Sequence, residues 1–133
     1  MIPREQWPLR HSRPCVQVVL TLMPAGTPFL RSLLADTGAG SDSDDFELIL
    51  EESDCLLCGG IPFPSVSLGG AYVGSFPTYD LQVRIPALGF DRNLLAIGVP
   101  SVPAGFDGIA CFRFLNRFTY GNFGDPSQFG LEG

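Results

Sequence analysis

Short apolar stretches, each closed by glycine or proline, run along most of this chain. Their length and their content of valine, leucine and isoleucine are typical of β-strands. In residues 79–85 the apolar positions 81, 83 and 85 alternate with polar ones, which predicts a strand with one face toward water. Residues 46–51 fit either a strand or a single helical turn. Further strands are predicted at 16–22, 29–35, 65–68, 71–73 and 94–99.

The two ends of the chain have patterns of their own. Residues 1–14 are polar and contain three prolines, which predicts an extended N-terminal arm whose Trp7 could anchor a partner. In residues 111–118 the apolar positions have the spacing of a short amphipathic helix, and the glycine-containing tail that follows predicts a final hairpin. We find no repeat and no domain boundary in between, so residues 15–133 are predicted to form a single domain.

Composition and charge narrow the class of protein. The 133 residues include 16 glycines and 12 prolines, which suits a β-rich fold with many turns better than a helical bundle. The formal net charge of −6 would repel a polyanion, so we expect no nucleic-acid partner. No apolar run reaches the ~18 residues that a membrane span needs, so no membrane partner is expected. The first residues lack the apolar core of a secretory signal, and we therefore expect a cytoplasmic protein.

One stretch, 42–54, contains seven carboxylates and no basic residue. We interpret it as a solvated face. A preference for basic substrates is an alternative, and so is a pH-sensitive repulsion that restrains activity at neutral pH.

The four cysteines are too few and too scattered for a disulfide scaffold. Cys55 and Cys58 form a CxxC pair, but a tetrahedral zinc site would need two more ligands, and the remaining cysteines and the single histidine lie far away in sequence. We therefore expect ordinary buried or loop thiols, no metal and no cofactor.

The segment with the clearest chemistry joins a predicted apolar strand to Asp36, Thr37, Gly38 and Ala39. A carboxylate directly after a strand, followed by a hydroxyl residue and a glycine, is displayed on a tight turn. The glycine allows another backbone or a substrate to approach closely. The alternative interpretation of an Asp-Thr-Gly tripeptide is an Asx-turn at the end of a strand.

With its apolar lead-in and the trailing Ala39, this segment resembles the catalytic motif of the retroviral-type (retropepsin-like) aspartic peptidases. A second segment, 106–115, is similar to the family's Asp-Gly-apolar-apolar-Gly motif that leads into a short helix. A third, 57–61, is similar in position and glycine content to the tip of the family's flap. The resemblance extends over roughly residues 16–131.

The resemblance implies an all-β fold, a closed or curled retropepsin-like barrel with one short helix near the C-terminus, assembled as a two-fold homodimer. It implies an aspartic endopeptidase acting on a polypeptide substrate, in which Asp36 of each subunit supplies one catalytic carboxylate. The residues that it assigns are the active-site loop Thr37, Gly38 and Ala39, the flap residues Gly59, Gly60 and Ile61, and the second motif Asp107, Gly108, Ile109 and Ala110.

Two departures from the family pattern support a competing hypothesis. Cys111 stands where the family has a glycine that packs behind the catalytic turn, and Arg113 stands where an aspartate is common. The competing hypothesis is a catalytically inactive module of the same fold that dimerises or binds peptides. A thiol- or metal-dependent protein built on Cys55 and Cys58 is a third hypothesis.

Overall fold

The computed structural model describes residues 2–69 and 72–133, and 52% of these residues are in β-strands. The strands are β1 (Arg4–Pro8), β2 (Cys15–Leu22), β3 (Thr27–Ala35), β4 (Phe46–Glu51), β5 (Pro62–Leu68), β6 (Gly74–Ile85), β7 (Phe90–Val99), β8 (Gly108–Ala110), β9 (Thr119–Gly121) and β10 (Gln128–Glu132). Two short helices, α1 (Glu52–Leu57) and α2 (Phe112–Leu115), and a 3₁₀ turn at Pro86–Leu88 lie between them. No helix in these described ranges is long and apolar enough to cross a membrane.

Six strands close into a barrel in the order β2-β3-β8-β4-β7-β6. The ring closes where β2 meets β6, with Val19 opposite Arg84. β5 pairs with β6 and forms the edge of the seven-stranded sheet outside the ring. The predicted all-β closed barrel is therefore confirmed, and so is the short helix near the C-terminus.

β8 lies between β3 and β4, parallel to β3 and antiparallel to β4. This insertion brings three backbones close together at Gly108, where an added Cβ would collide with the carbonyl oxygen of Ile49. The glycine of the second sequence motif is thus required by the packing of the barrel, because a side chain has no space there. The same pairing sets the end of β8 beside the end of β3.

The main core consists of alternate residues of the barrel strands. In β6 the residues Leu81, Val83 and Ile85 are buried while Gln82 is exposed, as the alternating pattern predicts. β4 is buried on both faces, since Leu48 contributes to the main core and Ile49 to a second cluster. The second cluster comprises Phe46, Ile49, Ile97, Val99, Ile109 and Cys111. Because this cluster lies on the opposite face of β4, it supplies apolar surface outside the main core.

The N-terminal arm is extended, but it is a strand of the folded unit. β1 and β9 flank β10 in a separate three-stranded sheet, which includes the predicted final hairpin β9–β10. Trp7 is only 6% exposed and packs in the main core, as does Leu131 of β10. The prediction that Trp7 could anchor a partner is wrong, because the indole is already buried against this chain.

The local elements differ from the sequence pattern in a few places. Residues 46–51 form a strand, and the helical alternative is excluded by their pairing with β7 and β8. α1 was not predicted, and α2 occupies four residues of the predicted 111–118. Of the predicted strand 71–73, Ala71 lies outside the described residues, and Tyr72 and Val73 are not in a strand.

Two carboxylates of the acidic run are buried in ion pairs. Glu47 is 3% exposed and accepts two hydrogen bonds from Arg117. Asp54 is 7% exposed and accepts two from Arg31. A buried carboxylate needs such a partner. The interpretation of the whole run as a solvated face is therefore wrong at these two positions.

Candidate active site

Asp36 is the first residue after β3 and begins a tight loop. Its backbone N–H donates to the carbonyl of Ala110 at 3.0 Å, which attaches the loop to the end of β8. Its carbonyl accepts from the N–H of Ala39 at 3.1 Å and closes the turn. The Oδ1 of Asp36 accepts from the N–H of Gly38 at 2.9 Å, as in an Asx-turn. The sequence left an Asx-turn and a displayed catalytic carboxylate as alternatives, and the geometry accommodates both.

The loop leaves its polar groups accessible. Asp36 is half-buried, whereas Thr37 and Gly38 are exposed at the surface. The N–H of Phe112, at the start of α2, donates to the carbonyl of Ala39 at 2.9 Å and fixes the far side of the turn. The Asp36 side chain is therefore held on a loop that is attached to β8 and α2, a rigid display that suits a catalytic group.

Two cavities meet at Asp36. The first has a volume of about 240 Å³, and its lining includes Ala39, Phe46, Ile49, Leu68, Tyr72 and Ile109 besides Asp36. Most of these residues belong to the second apolar cluster or pack against it. The second cavity, of about 390 Å³, shares Asp36, Tyr72 and Ile109 and has Arg13 and Ser101 at its border. The two cavities adjoin and form a cleft in which Asp36 is the one carboxylate among the described lining residues, an arrangement typical of a substrate site.

The second motif is divided between the two ends of β8. Ile109 lines both cavities, Ala110 anchors Asp36, and Gly108 packs against β4. Asp107 lies beside Ser32: its Oδ2 accepts from the Ser32 N–H at 2.8 Å, and its own N–H donates to the Ser32 carbonyl at 2.8 Å.

Asp107 is distant from Asp36. Ser32 of β3 precedes Asp36 by four residues of extended chain, which at ~3.3 Å per residue is about 13 Å. Two carboxyl groups that share a proton must lie within hydrogen-bond distance. Asp107 of the same chain therefore cannot serve as the second acid beside Asp36.

The predicted flap residues Gly59, Gly60 and Ile61 are not at a hairpin tip. The N–H groups of Gly59 and Gly60 donate to Leu56 and Cys55, so the glycines close the C-terminal end of α1. A Cβ on Gly60 would lie 2.8 Å from the Cys55 carbonyl oxygen and from the Tyr79 ring. These residues form a packed structural turn, and the flap assignment is corrected accordingly.

The hairpin that borders the cleft is formed by β5 and β6, with Leu68 opposite Gly74. Leu68, Gly69 and Tyr72 line the first cavity from this hairpin, and Gly70 lies outside the described residues. The doublet at 69–70 is a turn signal in the sequence, but the pattern does not indicate that Gly69, rather than Gly59 or Gly60, lines the cavity at Asp36. Tyr72 was not among the predicted site residues.

The two departures from the family pattern have defined places. Cys111 is fully buried behind the Asp36 loop, and burial together with the nearby Asp36 carboxylate raises the pKa of its thiol. Arg113 donates to the carbonyl oxygens of Asp42 and Asp44 at 3.1 and 2.8 Å. Arg113 therefore stabilises the loop between β3 and β4, whereas Cys111 packs in the second apolar cluster, and neither lines the two cavities at Asp36.

The CxxC pair lies on α1 and its C-cap. Cys55 is buried, which raises the pKa of its thiol to about 12, and burial also raises the pKa of Cys58. Both are free thiols. Among the residues described, no group of three or more potential ligands is placed to hold a metal ion. A protonated thiol is a poor nucleophile, so this pair lacks the properties of a reactive site.

Comparison with known proteins yields no relative. No family model matches the chain, and neither does any curated protein or solved structure. A function has therefore to be inferred from the Asp36 loop and its cleft.

Proposed function

We propose that this chain is one subunit of a retropepsin-like aspartic endopeptidase in which two Asp36 carboxylates, one from each copy, hydrolyse a peptide bond. One observation carries the proposal: Asp36 is the sole carboxylate among the described residues that line the two cavities of the cleft. It lies on an anchored turn whose outer residues, Thr37 and Gly38, are exposed. A second copy can approach this turn without unfolding either chain.

The proposed chemistry needs both carboxylates. When two such groups lie within hydrogen-bond distance, they cannot both be ionised, and one keeps a proton. The ionised Asp36 takes a proton from water, which attacks the carbonyl carbon of the peptide. The protonated Asp36 donates to the developing oxyanion, and a proton then passes to the leaving nitrogen. The protein needs no bound cofactor for these steps.

A two-fold axis through the Asp36 loops would bring the two carboxylates together. In such an isologous contact the same residues meet on both copies. The hydroxyl of Thr37 in each subunit would then donate a hydrogen bond to the loop of the other subunit. β1 and β10 already pair within one chain, and Gly133 donates to Pro3 at 3.1 Å. We therefore assign the essential dimer contact to the Asp36 loops, where the site is incomplete in one copy.

The four free cysteines support the expected cytoplasmic location. Thiols of this kind persist in reducing compartments, whereas secreted domains of similar size often use their cysteines in disulfides.

A peptide-library cleavage assay between pH 4 and pH 8 tests the proposal. We expect cleavage with a maximum on the acid side of neutrality, because the shared proton is lost as the pH rises. A statine peptide, whose hydroxyl imitates the tetrahedral species, should inhibit. A rate that rises steadily through pH 8, or cleavage that is insensitive to the statine peptide, would contradict the two-carboxylate mechanism.

The requirement for two copies has its own test. Specific activity should fall when the protein is diluted below the dissociation constant of the dimer, and sedimentation at the same concentrations should show the monomer appearing. Constant specific activity from a monomer would eliminate the shared site.

The second candidate function is a peptide-binding module without catalysis. Cys111 favours it, because a side chain fills the space behind the loop where the family has glycine. Such a module would bind the statine peptide and cleave no member of the library. Replacing Cys111 by glycine would not create activity if the catalytic geometry had been lost elsewhere.

A further inference from the structure

Tyr72 occupies a position that the proposed reaction leaves unexplained. It lines both cavities, and so do Asp36 and Ile109. Asp36 belongs to the loop after β3, and Tyr72 belongs to the connection between β5 and β6. A chain segment that passes from one cavity to the other over Asp36 must therefore pass Tyr72.

The ring of Tyr72 is held by its surroundings. It is half-buried and makes an edge-on contact with Phe76 of β6, with ring centroids 6.3 Å apart and an interplanar angle of 86°. It also packs against the second apolar cluster. An aromatic ring fixed in this way can form a wall between two side-chain pockets, because it offers a large apolar surface at little conformational cost.

The hydroxyl of Tyr72 is available for a ligand. It makes no hydrogen bond to the residues that the structure describes. Burial, with a smaller contribution from Cys111, raises the pKa of this phenol, so it stays protonated and can donate at any pH at which the protein would work. A half-buried phenol usually finds a hydrogen-bond partner, and a peptide carbonyl in the cleft would supply an acceptor.

We infer that Tyr72 determines the specificity of the proposed peptidase site, its ring separating the pockets for the two side chains on either side of Asp36 and its hydroxyl donating to a backbone carbonyl of the bound peptide. The inference rests on the proposed function for the identity of the ligand. The smaller pocket, lined by Phe46, Ile49 and Ile109, would take an apolar side chain. The larger one, bordered by Arg13 and Ser101, would tolerate a polar or acidic side chain.

The ring and the hydroxyl can be tested separately. In Tyr72→Phe the wall remains and the hydrogen bond is lost, so KM should rise about three- to tenfold while kcat stays within about twofold, since the bond is made to bound substrate and transition state alike. In Tyr72→Ala the wall is lost as well. The preference of the smaller pocket for leucine over alanine, measured as a ratio of kcat/KM values, should then fall about tenfold.

The experiment uses the full chain, a cleaved peptide from the library and its leucine and alanine variants at the position next to the scissile bond. Tyr120→Phe is the matched control, because Tyr120 lies on β9 in the terminal sheet and lines neither cavity. Thermal unfolding of each variant identifies a loss of folded protein. Values of KM and selectivity within twofold of wild type in both Tyr72 variants would overturn the inference. A fall in kcat alone for Tyr72→Phe would also overturn it, because the hydroxyl would then act in the chemical step.

A binding measurement separates failure of this inference from failure of the proposed function. The dissociation constant of the statine peptide is measured for wild type, Tyr72→Phe and Tyr120→Phe. If wild type binds the peptide but cleaves nothing, the proposed function fails, and a three- to tenfold weaker binding by Tyr72→Phe still supports the role of the hydroxyl. If wild type cleaves peptides and Tyr72→Phe binds equally well, Tyr72 alone was misassigned. Absence of binding and of cleavage would overturn both.

Discussion

Asp36 and Asp107 lie at opposite ends of the parallel pair formed by β3 and β8, and each is followed closely by a glycine. At one end, the carboxylate of Asp107 accepts the backbone N–H of Ser32, so it joins two strands. At the other end, Asp36 accepts one N–H from its own loop and borders two cavities. An aspartate at a strand end can thus be structural or open to a ligand, depending on which backbone donors surround it.

The largest difference is expected in catalysis. Asp36→Asn should lower kcat/KM at least about a thousandfold, because the amide is nearly isosteric but cannot take a proton from water. Asp107→Asn is the matched change at the other end and should stay within about threefold, since the amide oxygen can still accept from Ser32. Circular dichroism checks that both variants are folded. Full turnover by Asp36→Asn would end the assignment.

Mixing each variant with wild type tests whether the active dimer needs Asp36 from both chains. With a ninefold excess of Asp36→Asn, random pairing leaves about one wild-type chain in ten in an active dimer, so activity per wild-type chain should fall about tenfold. The same excess of Asp107→Asn should cause no such inhibition. Equal activities in the two mixtures would show that each chain works alone.

In contrast to activity, stability should depend more on Asp107 than on Asp36. Asp107→Ala leaves the N–H of Ser32 without its acceptor and should lower the free energy of unfolding by ~1–3 kcal/mol. Asp36→Ala removes one exposed bond within its own turn and should cost less than ~1 kcal/mol. Urea denaturation measures both values. A larger loss for Asp36→Ala would mean that its loop is a structural element of the barrel.

Gly69, which lines the first cavity, can be distinguished from Gly60 in the structural turn by its effect on stability. Gly60→Ala should destabilise the protein by ~1–3 kcal/mol because its Cβ would press on the Cys55 carbonyl and the Tyr79 ring. Gly69→Ala should change stability by less than ~0.5 kcal/mol, since no described atom lies within 4 Å of the added carbon. Similar melting temperatures for the two variants would contradict the close packing described around Gly60.

A reaction at a cysteine thiol would need neither Asp36 nor Asp107, so the thiol hypothesis has tests of its own. The pKa of Cys55 is raised from 9.0 to about 12 by burial, so the thiol contributes stability that is present below pH 9 and lost as the pH rises toward 12. The free energy of unfolding should fall in this range, and less steeply in Cys55→Ala.

Iodoacetamide at pH 8 should leave peptide hydrolysis intact. Inactivation that follows alkylation of Cys55 or Cys58 would support the thiol hypothesis instead.

The sequence predicts those parts of the structure that are determined by residues close together along the chain. The alternation in residues 79–85 gives the strand and its buried face, and the apolar run before Asp36 gives the strand that ends at the site. Contacts between distant residues had no local signal. The pairing of Glu47 with Arg117 joins positions 70 residues apart, and Trp7 is buried by strands at both ends of the chain.

The misplaced flap has a similar origin. Two glycine doublets follow Asp36, and each predicts a turn. Whether Gly60 or Gly69 lines the cleft depends on α1, a helix of six residues whose pattern is too short to detect. Gly59 and Gly60 donate hydrogen bonds to the last turn of α1. The hairpin therefore begins only after them, with β5 at Pro62.

The pairing of β1 with β10 has a mechanical consequence. The strands are antiparallel, and the hydrogen bond from Gly133 to Pro3 lies at the open end of the pair. A force that pulls Pro3 and Gly133 apart would load this bond first and then each following bond singly, as in opening a zipper. The terminal sheet should therefore yield at low force and withdraw Trp7 and Leu131 from the core. Tension applied through the two ends would reach the barrel only after that step.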